Sequence, residues 1–184
     1  MKHLVFLLEG PCEREVLQAW LPTMLPEGVQ VHFIVFEGKQ DMERRMVSKM
    51  RYWQQPDSRF VVLRDQDSAD CLDVKARLRE RCKEAGRDDA TVRVACHELE
   101  SFFLGDWPAV AKAFDNPRLA DLARKAIYRD PDRIALPEAE LRRHISGYQK
   151  RDGARRIAPH MDLNRNSSRS FCHLRDAIER LARP

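Results

Sequence analysis

The chain has 184 residues, 43% hydrophobic and 34% charged, which suits one domain with a small appendage. No stretch approaches the ~20 apolar residues of a membrane span, and the opening run Leu4–Leu8 falls short of the ~7 residues of a signal h-region, so a cytoplasmic protein without a membrane partner is the expectation. The net charge of +4 is uneven: residues 141–184 carry eleven Lys or Arg against four Asp or Glu, a balance of +7 that leaves −3 for residues 1–140.

Residues 3–8 form a short, nearly continuous apolar run, as expected of a strand covered on both faces. Glu9-Gly10-Pro11 ends it. Apolar residues at 16, 17, 20 and 24 then take helical spacing, with Glu13 and Glu15 in the first turn where the helix dipole favours them. Residues 29–36 read as a second strand, followed by Glu37-Gly38-Lys39 and a helix over 40–52. Residues 60–63 read as a third strand, ending in Arg64-Asp65-Gln66-Asp67-Ser68, with Asp67 and Ser68 as caps for a charged helix over 70–85. Residues 91–96 form a fourth strand and lead to His97-Glu98-Leu99-Glu100. Strand and helix alternate four times, which predicts a mostly parallel sheet with helices on both faces.

Beyond residue 100 the pattern is helical. Residues 107–114, 117–128, 137–144 and 154–161 are predicted helices, and Phe171, Leu174, Ile178 and Leu181 place one face of a last helix against the body. Trp20, Phe102 and Phe103 read as core, and His144, His160 and His173 as surface or interface residues. Residues 147–151 and 164–169 are polar segments placed to reach a ligand. Five cysteines (12, 71, 82, 96 and 172), odd in number and without CxxC spacing, argue for reduced thiols rather than disulfides or a zinc knuckle.

In an open parallel sheet, ligands bind outside the carboxyl ends of the strands. Glu9, Asp65, Asp67, Glu98 and Glu100 all follow strands and so meet at one edge. Clustered carboxylates repel one another, and a hard cation such as Mg²⁺ relieves that repulsion. Asp65 and Asp67, two apart in an extended segment, would point the same way. Glu98 and Glu100 diverge on a helix, and Glu100, beside Phe102-Phe103-Leu104, is the better site residue. Lys39, on the same edge, is placed to hold a phosphate or stabilise leaving-group charge. Tyr148, Lys150, Arg151, Arg155 and Arg156 combine a ring for base stacking with cations for phosphates.

A first strand ending in Glu9-Gly10 and a third ending in Asp65-Gln66-Asp67 resemble the Toprim domain of topoisomerases, primases and related nucleases, over residues 1 to about 105. More narrowly, several features resemble a family catalogued as domain of unknown function 4276. They are Glu9-Gly10 with Glu13, Phe36-Glu37-Gly38-Lys39, Asp65-x-Asp67-Ser68, Glu98-x-Glu100-Ser101-Phe102-Phe103-Leu104, Tyr148-x-Lys150 and Ser170-Phe171. The resemblance implies a Toprim-like (Rossmann-like) α/β core over 1–105 and a basic helical extension over 106–184. It also implies Glu9 as general acid or base, Asp65 and Asp67 as Mg²⁺ (or Mn²⁺) ligands, and a neighbouring ABC- or AAA-type ATPase in phage defence. Read together, these features predict a Mg²⁺-dependent nuclease, with Glu9 and Glu100 joining Asp65 and Asp67 as metal ligands and Glu9 and Lys39 serving catalysis. The rival expectation is a non-catalytic Toprim module that binds nucleic acid or a protein. A phosphoacceptor receiver domain is disfavoured, because neither an acidic pair after the first strand nor a Lys after a fifth is visible. The chain has no GxxxxGK[ST] loop, so ATP hydrolysis would have to come from the partner.

Overall fold

The computed structural model describes residues 2–183. Strands β1 (Lys2–Leu8), β2 (Val29–Val35), β3 (Ser58–Asp65) and β4 (Thr91–Ala95) alternate with helices α1 (Pro11–Met24), α2 (Lys39–Arg51) and α3 (Cys71–Glu84). The strands lie in the order β2-β1-β3-β4, and every neighbouring pair is parallel. This is an open, Rossmann-like α/β sheet.

Side chains alternate across each strand, so the two central strands must be apolar on both faces. Leu4, Phe6, Leu8, Val61 and Leu63 enter one core with α1 and the C-terminal helices. Val5, Leu7, Phe60 and Val62 enter a second core with α2 and α3. The residues of β1 from Leu4 to Leu8 are wholly buried, and truncating one such Leu to Ala costs about 2–5 kcal/mol.

Helix α1 begins directly after β1, and the Glu13 carboxylate turns back to accept from the Gly10 N–H at 3.1 Å. The cap of α3 is Asp70, not Asp67 or Ser68: its side chain accepts from the N–H groups of Leu72 (2.8 Å) and Asp73 (3.1 Å). Asp67 sits at φ +56, a loop conformation that leaves it three residues short of the cap position.

The rest of the chain comprises α4 (Glu100–Leu104), α5 (Trp107–Ala113), α6 (Pro137–His144), α7 (Lys150–Ile157) and α8 (Arg169–Ala182). The helix expected over 117–128 is instead two 3₁₀ segments, Pro117–Arg124 and Ala126–Arg129. Lys125 between them is extended, with ψ 137, and the buried Leu119 and Leu122 are three apart, the spacing that aligns side chains in a 3₁₀ turn. Helix α7 opens at Lys150, four residues before the expected start. Helix α8 buries Phe171, Leu174 and Ile178 as its spacing requires, and its Ser168 cap accepts from the Phe171 N–H at 3.1 Å.

These helices share a core with the sheet. Trp20 of α1 meets the Phe171 ring edge-on at 4.9 Å and the Phe102 ring at 6.2 Å. No helix among the described residues is long and apolar enough to cross a membrane.

Tyr148 packs its ring flat against Gly153 of α7. A Cβ at Gly153 would lie 2.3 Å from Tyr148 Cε2. Replacing a helical Gly by Ala ordinarily gains about 1 kcal/mol. Here the gain should reverse, so Gly153→Ala should lower the melting temperature. A rise in a thermal melt would place the Tyr148 ring elsewhere.

Candidate functional site

The carboxyl ends of the strands are laced together sideways. The Phe36 N–H donates to Leu8 O and the Gly38 N–H to Glu9 O, both at 2.9 Å; Gly38 sits at φ +92, open to glycine at no steric cost. On the other side Gln66 N–H donates to Ala95 O (2.9 Å) and Asp67 N–H to His97 O (2.7 Å). These bonds hold the four strand-end loops in one rim, and the acids stand on that rim.

Glu9, Glu13, Asp65 and Glu100 form an acidic pocket on the α1 side of the sheet. Asp65 ends β3 and is 9% exposed, Glu13 is 5% exposed, and Glu100, the first residue of α4, is wholly buried. Burial raises the Asp65 carboxyl well above its ordinary value, and the charges of Glu13, Glu100 and Glu9 add to the effect. Burial likewise raises Glu13 to about 7, with Glu9 and Glu100 contributing. Glu9 is raised by burial and then by Asp67, and Glu100 by burial. The Cys12 thiol beside this pocket is pushed up to about 12 by burial and by Glu13, so it stays protonated.

One cation enters the pocket directly. Lys150, the first residue of α7, holds its Nζ 3.3 Å from Glu100 Oε2 and 3.8 Å from Glu138 Oε2. Burial opposes the charged ammonium, but Glu100, Asp65 and Glu98 outweigh it and raise the Lys150 pKa. Tyr148 donates its hydroxyl to Glu100 Oε1 at 3.4 Å. Arg64, 3% exposed, lies 3.6 Å from Glu9 Oε2 and pairs with Glu43.

Asp65 and Asp67 part company. Extended backbone ends at Asp65, and the left-handed φ of Asp67 breaks the alternation that would have aligned the two carboxylates. Asp67 turns outward to Lys39, whose Nζ lies 2.8 Å from Asp67 Oδ2. Glu9 stands between the two groups, since Asp67 still raises its pKa. Glu98 borders the first group: its Oε2 accepts from the Glu138 N–H at 2.7 Å, at the start of α6, and its charge acts on Glu100 and Lys150.

The residues expected to bind nucleic acid are mostly engaged within the chain. Tyr148 is 1% exposed, so its ring offers no stacking face; it closes the acidic pocket instead. Lys150 serves Glu100. Arg151 and Arg155 both reach Glu15 at 3.0 Å. Arg156 lies 4.1 Å over the Phe114 ring and donates to Ala113 O. In the 164–169 segment, Arg165 pairs with Asp106 and Arg169 with Asp130.

Among the described residues, no three His, Cys, Asp or Glu stand close enough to form a ready metal shell. The donors nevertheless fit a hard divalent ion in kind. All are carboxylate oxygens, and Glu9 Oε2, Asp65 Oδ1 and Glu100 Oε2 are buried without a hydrogen-bond partner. Glu100 Oε2 faces the Lys150 ammonium at 3.3 Å.

The model of a protein family described only as a domain of unknown function, DUF4276, matches residues 8–182. The chain belongs to that family. No curated protein and no solved structure matches it. Within this DUF4276 chain, the match takes in every residue of the acidic pocket. Sequence reasoning placed Glu13 in a first turn rather than in the site; its spacing of four from Glu9 was the available signal. Arg64, a charge directly after the apolar run 60–63, was a second.

The raised carboxyls make stability depend on pH. A carboxyl raised in the folded state holds its proton longer there, so it stabilises fully below its unfolded pKa and loses that contribution as pH rises through its folded value. For Glu13 the window runs from 4.5 to about 7. The lowered carboxyls Glu15, Asp41 and Glu140 titrate below it. In chelator-containing buffer the melting temperature should therefore fall across this window. Glu13→Gln, which keeps an acceptor for the Gly10 N–H, should flatten the fall, and an unchanged slope would show that Glu13 is not the group responsible.

Proposed function

We propose that this chain is a Toprim-like, divalent-metal-dependent phosphodiester hydrolase acting on nucleic acid, working as the effector of an ATPase-linked system in phage defence. The observation that carries the reading is the buried acidic pocket at the carboxyl edge of a parallel sheet, with buried oxygens on Glu9, Asp65 and Glu100 that accept no hydrogen bond, Asp65 Oδ1 having no ion pair either. Such groups cost stability unless a ligand repays them. Glu9 after β1 and Asp65 after β3 occupy the strand ends that the Toprim resemblance assigns to chemistry. The missing phosphate-binding loop supports a separate ATPase, and five free cysteines support a reducing, cytoplasmic setting.

Asp65 and Glu100 would hold Mg²⁺ or Mn²⁺, with water completing the shell. The ion supplies Lewis-acid polarisation of a phosphoryl oxygen. Glu9, at the mouth and with a raised pKa, takes the proton from the attacking water. Asp67 orients Lys39 on the rim, where its ammonium meets phosphate charge. Lys150 balances the acids from within.

Lys150 also favours a second reading, a non-catalytic Toprim module binding nucleic acid or a protein, because its ammonium already supplies the pocket with a cation.

The test is cleavage of labelled DNA and RNA with Mg²⁺ or Mn²⁺, with and without the proposed ABC- or AAA-type ATPase partner. Glu9→Gln should slow cutting by about 10²–10⁴-fold, the usual contribution of general acid–base catalysis, and leave binding intact. Mg²⁺ should raise the melting temperature of the native chain and do so less for Asp65→Asn and Glu100→Gln. Binding without cleavage under either metal, with the ATPase present, selects the binding module.

A further inference from the structure

With the cations of α7 tied to Glu15, Phe114 and Glu100, a surface of positive charge without ion pairs lies elsewhere. The structure offers one beside the edge strand β4. A cleft of about 380 Å³ opens between α3, β4 and the start of α8, lined by Lys75, Arg93, Arg133 and Arg169. Two acids share it, and both are engaged: Asp132 accepts from Ser168 Oγ (2.6 Å) and the Ser170 N–H (2.7 Å), and Asp130 pairs with Arg169. Among the described residues Lys75, Arg93 and Arg133 form no ion pair, and Arg93 donates to His173 O (3.0 Å) and Val92 O (2.9 Å).

The positive charge continues along the flank of β4. Arg79 lies one turn after Lys75 on the same face of α3, and Arg180 projects from α8; neither forms an ion pair among the described residues. Both crowd the half-buried Arg93, whose pKa is lowered first by burial and then by Arg180 and Arg79, with Asp176 opposing them. Uncompensated like charges cost stability in the free protein, and a polyanion removes the cost.

The cleft adjoins the acidic rim. Cys96, in its wall, is followed by His97, whose N–H donates to Gln66 Oε1 and whose carbonyl accepts from the Asp67 N–H. One strand spacing, about 4.8 Å, separates β4 from β3, which carries Asp65.

We propose that Lys75, Arg79, Arg93, Arg133 and Arg180 form a track for the phosphate backbone of a nucleic acid, leading along the outer flank of β4 to the acidic pocket. The track rests on the hydrolase reading only in its direction towards that pocket; its binding is measured separately.

The experiment is fluorescence anisotropy of a fluorescein-labelled DNA duplex, and of a single-stranded RNA, titrated with the full chain in chelator over a range of salt. The variant is Lys75→Gln, Arg79→Gln, Arg133→Gln and Arg180→Gln combined, side chains that make no hydrogen bond among the described residues. Its melting temperature confirms that it is folded. On the duplex, its slope of log K against log salt should be shallower by up to about 3.6, at about 0.9 for each phosphate released. A slope equal to the native one overturns the track. So does a native chain that binds neither probe at low salt. An equal loss from Arg151→Gln with Arg155→Gln, and none from the track variant, moves the contact to α7 and also overturns it. Track-dependent binding with no cleavage removes the hydrolase and keeps the track. Native kcat/KM in the track variant removes the track and keeps the hydrolase.

Discussion

The organising constraint of this structure is the burial of carboxylates at one edge of a parallel sheet. Asp65, Glu13 and Glu100 are each less than a tenth exposed, and they act on one another and on Glu9. Burial and like charge push in the same direction, towards protonation, and only Lys150 and Arg64 answer the four acids from close by among the described residues. A fold that needed only stability would fill this volume with apolar side chains. Keeping acids there is the physical argument for a ligand.

The C-terminal helices are part of that arrangement. They complete the core on the α1 face, where Trp20 meets Phe102 and Phe171, and they deliver Lys150 and Tyr148 to Glu100. Helix α6 is bound to the same neighbourhood through the Glu98 carboxylate. Because α7 carries Lys150 inward, its exposed arginines turn to Glu15 on α1. The excess charge of the C-terminal quarter is thus largely neutralised within the chain, and uncompensated cations gather instead beside β4.

The rim divides into two chemical environments separated by the turn at Asp67. Inside it, carboxylates are buried close to one another. Outside it, Asp67 and Lys39 form an exposed pair that solvent screens. Glu9 touches both environments, within reach of the charges of Asp67, Arg64 and Glu13. The proton transfer proposed at the mouth of the pocket requires a residue in that position.

The sequence by itself determined the sheet. Apolar runs at 3–8 and 60–63 and helical spacing after them follow local periodicity, and strand-end acids follow from connectivity. Glu9, Asp65 and Glu100 were legible for that reason, as was the docking face of α8. Tertiary structure alone decided which of those acids face one another. The φ of Asp67 separated it from Asp65, and Gly10 turned Glu13 inward. The docking of α7 made Lys150 a pocket residue and Tyr148 a buried one. Leu119 and Leu122 settled into 3₁₀ turns once Lys125 was extended. Periodicity reports which face of an element is apolar, but the partner of a charge depends on segments distant in sequence, whose approach is set by packing.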